Sequence, residues 1–215
     1  LSILLSCNIL ESEDPPQPFS EVNFFFESGF YDTNRGAFVK EKSIGIADSS
    51  RWSIRIDSSS GFESSRSLRY FLNLEEDVDN GLSEGLGDGR VWIEINFGVD
   101  LPRSEHEVDV SFVLKPLDRY PLDTTITGVS VGDRWSVIAG ASPDSVESAD
   151  DLVYHKMPAW SEEDGTWAWE ERSYSFRAES NGLGNIHIFV GISGETLRTG
   201  AYLMDDLRIR ATQLQ

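Results

Sequence analysis

Apolar side chains at every second position, in short runs broken by Gly, Asp, Asn and Ser, constrain the fold of this chain more than any other feature. In Arg51 to Asp57, Trp52, Ile54 and Ile56 point one way while Arg51, Ser53, Arg55 and Asp57 point the other. In Val91 to Phe97, Val91, Ile93, Ile95 and Phe97 oppose Trp92, Glu94 and Asn96. Val108, Val110, Phe112 and Leu114 share a face within Glu107 to Lys115. This period places one face on a core and the other outside. Further strands are predicted at Asn23–Glu27, Ser67–Leu72, Thr125–Val131, Trp135–Ala139, Glu171–Ala178, Ile186–Gly191 and Tyr202–Ile209. About ten short strands with turn-rich links predict an all-β, two-sheet antiparallel sandwich. Asp144 to Val153 is the best candidate for a helix, and it reads equally as a loop.

A chain of 215 residues suits one such domain, and 6 Trp, 6 Tyr and 12 Phe supply enough area for a core. Against 37 acidic residues stand 18 basic ones, a net charge of −19. Nucleic acid and anionic lipid surfaces both call for a basic footprint, so the balance argues against them. An acidic surface favours solubility and hard cations, and it repels polyanionic glycans unless a local basic patch intervenes.

The only cysteine, Cys7, follows the apolar run Leu1 to Leu5 in Leu4-Leu5-Ser6-Cys7. This resembles a bacterial lipobox, in which a small residue precedes the cysteine that is lipidated; the alternative is a free cysteine in a tail. The lipobox implies a residual signal peptide at 1–7 and membrane attachment through lipid at Cys7. It also implies a place in the bacterial cell envelope, with Asn8 pointing to the outer membrane. Residues 8–20 carry three prolines and three acids and read as a solvated tether. The domain is then expected over 21–215.

Three segments carry a family resemblance: Phe25-Phe26-Glu27 near the start, Glu63-Ser64-Ser65-Arg66-Ser67-Leu68 before an early strand, and Met204-Asp205-Asp206-Leu207-Arg208-Ile209 near the end. In this order they resemble the galactose-binding-like jelly rolls found among carbohydrate-binding modules. Trp169 followed by Tyr174 and Phe176 fits the same pattern. The resemblance implies a jelly-roll β-sandwich that binds a polysaccharide or other glycan without catalysis. It also implies a structural calcium ion held by Glu27, Glu63 and Asp205 with the carbonyls of Phe25 and Arg66. Calcium accepts such a mixed set of carboxylates and carbonyls and would pin the terminal strands together. Asp206 can replace Asp205 in this role, since neighbouring strand residues face opposite sides. Alternatively these acids simply pair with Arg66 or Arg208.

Sugar rings stack on exposed aromatic faces while planar polar groups bond their hydroxyls. Trp92 shares its polar strand face with Glu94 and Asn96, and His187 lies opposite Ile186 and Ile188 on a later strand. If these strands share a sheet, Trp92, Glu94, Asn96 and His187 line a shallow groove. Trp52 reads as core, Trp135 as either, and Trp160 and Trp167 as residues of a loop from Pro158 to Ala168.

No phosphate-cradling glycine loop or His-Glu-x-x-His is present. A jelly-roll polysaccharide lyase remains an enzymatic alternative, built from His187 with Arg172 or Arg177 and Tyr154 or Tyr174. A structural or protein-interaction domain of the envelope is the third reading, because jelly rolls host many functions.

Overall fold

Alternation becomes pairing. The computed structural model describes residues 19–26, 32–33, 38–46, 48–74, 89–117, 135–157, 162–163, 166–194 and 199–214. In chain order the strands are β1 (Phe19–Phe25), β2 (Asp32–Thr33), β3 (Phe38–Ile44), β4 (Trp52–Asp57), β5 (Ser67–Asn73), β6 (Gly89–Gly98) and β7 (Glu105–Pro116). They continue with β8 (Trp135–Ser142), β9 (Tyr154–Lys156), β10 (Glu162–Glu163), β11 (Thr166–Trp167), β12 (Glu170–Glu179), β13 (Asn185–Gly194) and β14 (Thr199–Gln213). The predicted stretch Thr125–Val131 lies outside the described residues. Asp144 to Val153 is no helix; it holds only a single 3-10 turn at Ala149–Asp151.

Two antiparallel sheets face each other as a jelly-roll sandwich. One runs β3-β6-β13-β8-β9. The other is built on β14, with β7 and then β12 along one flank. The opposite flank is shared: β5 pairs with Thr199–Met204, and β1 pairs with Arg208–Thr212. β4 lies outside β5, β2 lies outside β1, and β10 and β11 form a separate hairpin. β1 already pairs Phe19 with Thr212 and Ser20 with Ala211, two residues ahead of the expected boundary at 21.

Between the sheets lies one core that includes Val22, Tyr70, Ile93, Val110, Ile188 and Met204. Trp135 belongs to it at 6% exposure, its ring tilted against Tyr202 with centroids 5.5 Å apart. The buried Tyr70 hydroxyl donates to the carbonyl of Val190 at 2.9 Å, which joins the sheets and spares the desolvation cost of an unpaired group.

β14 could not keep both its halves in this core without an irregularity. Met204 pairs with Leu114, and Ile209 pairs with Val110, all four facing inward, yet five steps along a strand reverse the face. A β-bulge between Asp205 and Arg208 inserts the missing residue, and Asp206 takes it up with φ 51°. Leu207 and Ile209 thereby return to the core, both fully buried.

Candidate functional site

Two places gather polar side chains that the core does not need. The first is the outer face of the five-stranded sheet. Register puts Trp92 opposite Gly191, Glu94 opposite Phe189, and Asn96 opposite His187. β3 adds Lys42 beside Trp92 and Lys40 beside Glu94 on the same face. The four expected groove residues therefore share one sheet face.

Trp92 does not offer the open stacking surface expected of it. It is 1% exposed, packed in a small second core with Ile138, Val146, Leu152 and Phe189. The cover is the arm 143–153, which leaves β8 and crosses the sheet before entering β9. Its indole Nε1 is buried with no hydrogen-bond partner among the described residues, as is Asn96 Oδ1.

Glu94 fastens this arm. Its carboxylate accepts from Ser145 Oγ at 2.7 Å and from the Val146 N–H at 3.1 Å. His187 Nδ1 lies 3.1 Å from Oε1, and Lys42 Nζ lies 3.1 Å from Oε2. Burial would raise the Glu94 pKa, but the hydrogen bonds from Ser145, Lys42 and Val146 and the Lys42 charge outweigh it. The carboxyl is held below its ordinary value. Lys42 continues the network, donating to the Val146 carbonyl at 2.7 Å and to Glu147 Oε1 at 3.0 Å. Lys42 escaped the sequence reading because three charged residues in a row, Lys40 to Lys42, hide the period of β3.

The second place is the junction on β14 where β5 gives way to β1. A cleft of about 170 Å³ there is lined by Phe24, Phe26, Phe62, Glu63, Ser64, Asp205 and Asp206. Asp205 accepts from the Phe62 and Asp206 N–H groups at 2.8 Å each. Burial pushes its carboxyl above the ordinary value, more than the bonds from Phe62, Asp206 and Ser64 offset. Asp206 instead grips Arg208 with two bonds of 3.0 and 2.9 Å, while Asp205 binds the 58–66 loop through Phe62. That loop folds back on itself: Ser64 Oγ donates to the Arg66 carbonyl at 2.7 Å. A Cβ on Gly61 would stand 2.5 Å from that carbonyl, so only glycine fits.

Glu63 and Asp205 thus line one cleft at the end of β1, and Phe25 lies on β1 with its backbone paired to Asp32. Glu27 and Cys7 lie outside the described residues, as does Trp160. Among the described residues no group of three or more His, Cys, Asp or Glu is arranged to hold a metal ion.

No family model matches the chain. No curated protein matches it either. Among solved structures it is similar to the TmCBM61 module in complex with β-1,4-galactotriose, at 14% identity and TM-score 0.41, covering 86% of this chain and 92% of that one. It is similar to the CBM22-2 xylan-binding domain of Paenibacillus barcinonensis Xyn10C, at 16% identity and TM-score 0.46, covering 88% and 98%. A third is the K1 cleaved adhesin domain of Lys-gingipain from Porphyromonas gingivalis W83, at 10% identity and TM-score 0.47, covering 88% and 97%. The ligands named there belong to those proteins.

The residues of a lyase do not converge. His187 and Tyr154 lie on the five-stranded sheet, whereas Arg172, Tyr174 and Arg177 lie on β12 of the other. Tyr154 is bonded to Arg90 and to the Ala149 carbonyl. Tyr174 is stacked on His155 with centroids 4.0 Å apart, and burial raises its pKa, the wrong direction for a proton shuttle.

Proposed function

We propose that this chain is a non-catalytic glycan-binding jelly roll that uses the outer face of its five-stranded sheet. The observation that carries the reading is the Glu94 carboxylate, which orders Lys42, His187 and Ser145 around itself beside the amide of Asn96. Fixed planar polar groups on a sheet face suit the bonding of sugar hydroxyls, because their order is established before binding. A carboxylate held ionised by four donors favours binding over proton transfer.

Calcium belongs to the same proposal, at the β14 junction. Asp205, Glu63 and the Arg66 carbonyl would hold it, with Glu27 and the Phe25 carbonyl completing the set. The ion would offset the burial of the Asp205 charge and tie β1 to β5 and β14. The resemblance of the Cys7 segment to a lipobox extends the proposal to a lipid-anchored protein of the bacterial envelope.

The test is a glycan array, followed by calorimetry on any hit. Binding weakened tenfold or more by Asn96→Ala or His187→Ala, with unchanged melting, supports the proposal. Silence on the array, with a protein partner captured on the same face, moves the chain to the interaction class. Release of unsaturated sugar from a uronate polymer would make it a lyase.

A further inference from the structure

The net charge of −19 is a property of the whole chain, and one face departs from it. On the outer face of the five-stranded sheet the strands carry Lys40, Lys42, Arg90 and Lys156, with His187, against Glu94 as the one acid. Four Lys or Arg to one acid reverses the proportion of 18 to 37 in the chain. The arm that crosses this face has the opposite character: residues 143–153 include Asp144, Glu147, Asp150 and Asp151 and no base. An ion pair to the face sets the Glu147 carboxylate, 81% exposed, on Lys42 Nζ.

We infer that this face takes an acidic polysaccharide, a chain bearing uronate carboxylates, and that the arm rests on it as an internal stand-in. The inference depends on the glycan-binding proposal and specifies its ligand. Three observations point to an external occupant. The charges of face and arm are complementary, so a polyanion meets the same basic groups. The arm is held by the side chains of Glu94, Lys42 and Tyr154, by one backbone bond from Ala139 to Val153 and by a small apolar cluster separate from the main core, so lifting it leaves the main core intact. Beneath it Trp92 buries an indole N–H with no acceptor among the described residues. A sugar hydroxyl at the edge of the indole supplies that acceptor. The uronate carboxylate takes the place of Glu147 on Lys42.

The experiment is calorimetry with the whole chain against polygalacturonate, a neutral galactan and single-stranded DNA, joined to hydrogen exchange over 143–153. The expected result is salt-sensitive binding of polygalacturonate, with faster exchange in the arm when it is bound. Glu147→Gln, at an exposed position, should tighten that binding roughly three- to fivefold, the size of one exposed ion pair. Lys156→Gln should weaken it. Binding of neutral galactan in preference to polygalacturonate overturns the inference and leaves the glycan proposal standing. Binding of DNA as tightly, with the same response to Lys156→Gln, shows a face for polyphosphates and overturns it too. So does an arm whose exchange slows or stays unchanged. Failure of every glycan to bind removes both proposals.

Discussion

Lys42 Nζ lies 3.1 Å from Glu94 Oε2, and the pair joins the edge strand β3 to β6 directly under the arm 143–153. Glu94 is 4% exposed and the Lys42 side chain 17%, so the pair is largely withdrawn from water. Two long-range ties meet on it, since Glu94 binds the Val146 N–H and Lys42 the Val146 carbonyl. Removing one partner leaves a charge and two arm groups unmatched. Glu94→Leu is expected to cost about 2–3 kcal/mol and Lys42→Met about 1–2 kcal/mol. The double variant should cost less than the sum, and a denaturant-unfolding cycle measures the coupling. Strict additivity would show that the two side chains act independently.

The same carboxylate sets a pH dependence. Its folded pKa lies below the ordinary value. It therefore contributes stability that is complete above the unfolded value, about 4.3, and is lost as pH falls through the folded one. Melting curves of the wild type and Glu94→Gln should differ most at neutral pH and draw together as pH falls below the ordinary carboxylate value and through the lowered folded one. A gap that widens on acidification would reverse the sign.

Most strands were legible because one face of each is buried, and a period of two records that burial. The strands β4 to β8 and β12 to β14 fall where their alternation predicts; β4 starts one residue late, and the others run past their predicted ends, β14 by three residues at its start and four at its end. β3 was not legible: as an edge strand it leaves Glu41 exposed toward the core side, so charge interrupts the pattern. The partnership of Glu94 with His187 follows from strand facing once β6 and β13 pair. The burial of Trp92 does not, because its cover is an irregular segment from elsewhere in the chain with no period to read. The different settings of Asp205 and Asp206 come from the bulge, which no spacing reveals.

The junction cleft predicts a metal effect that variants can locate. Calcium added to chelator-treated protein is expected to raise the melting temperature by several degrees, as an ion that binds only the folded state must. Asp205→Ala should abolish that rise. Gly61→Ala should reduce it and cost about 1–3 kcal/mol, because the new Cβ meets the Arg66 carbonyl and Ser64. Differential scanning calorimetry with and without calcium reads both effects, and a melting point indifferent to calcium excludes a structural ion.

Trp92 separates packing from recognition. Its ring fills the space between Ile138, Phe189, Val146 and Leu152, so Trp92→Ala opens a cavity and should cost about 3–5 kcal/mol. Loss of binding in that variant would report the collapse of the arm's seat. Trp92→Phe keeps most of the apolar contact and deletes part of the ring together with the N–H that has no partner among the described residues. Relief of that unpaired donor offsets part of the lost ring area, and the net cost should stay near 1 kcal/mol. Urea unfolding of the two variants measures the difference. If the indole N–H serves a sugar hydroxyl, Trp92→Phe should also weaken glycan binding by roughly fivefold, the worth of one hydrogen bond. Unchanged affinity in a stable Trp92→Phe protein would make Trp92 a packing residue alone.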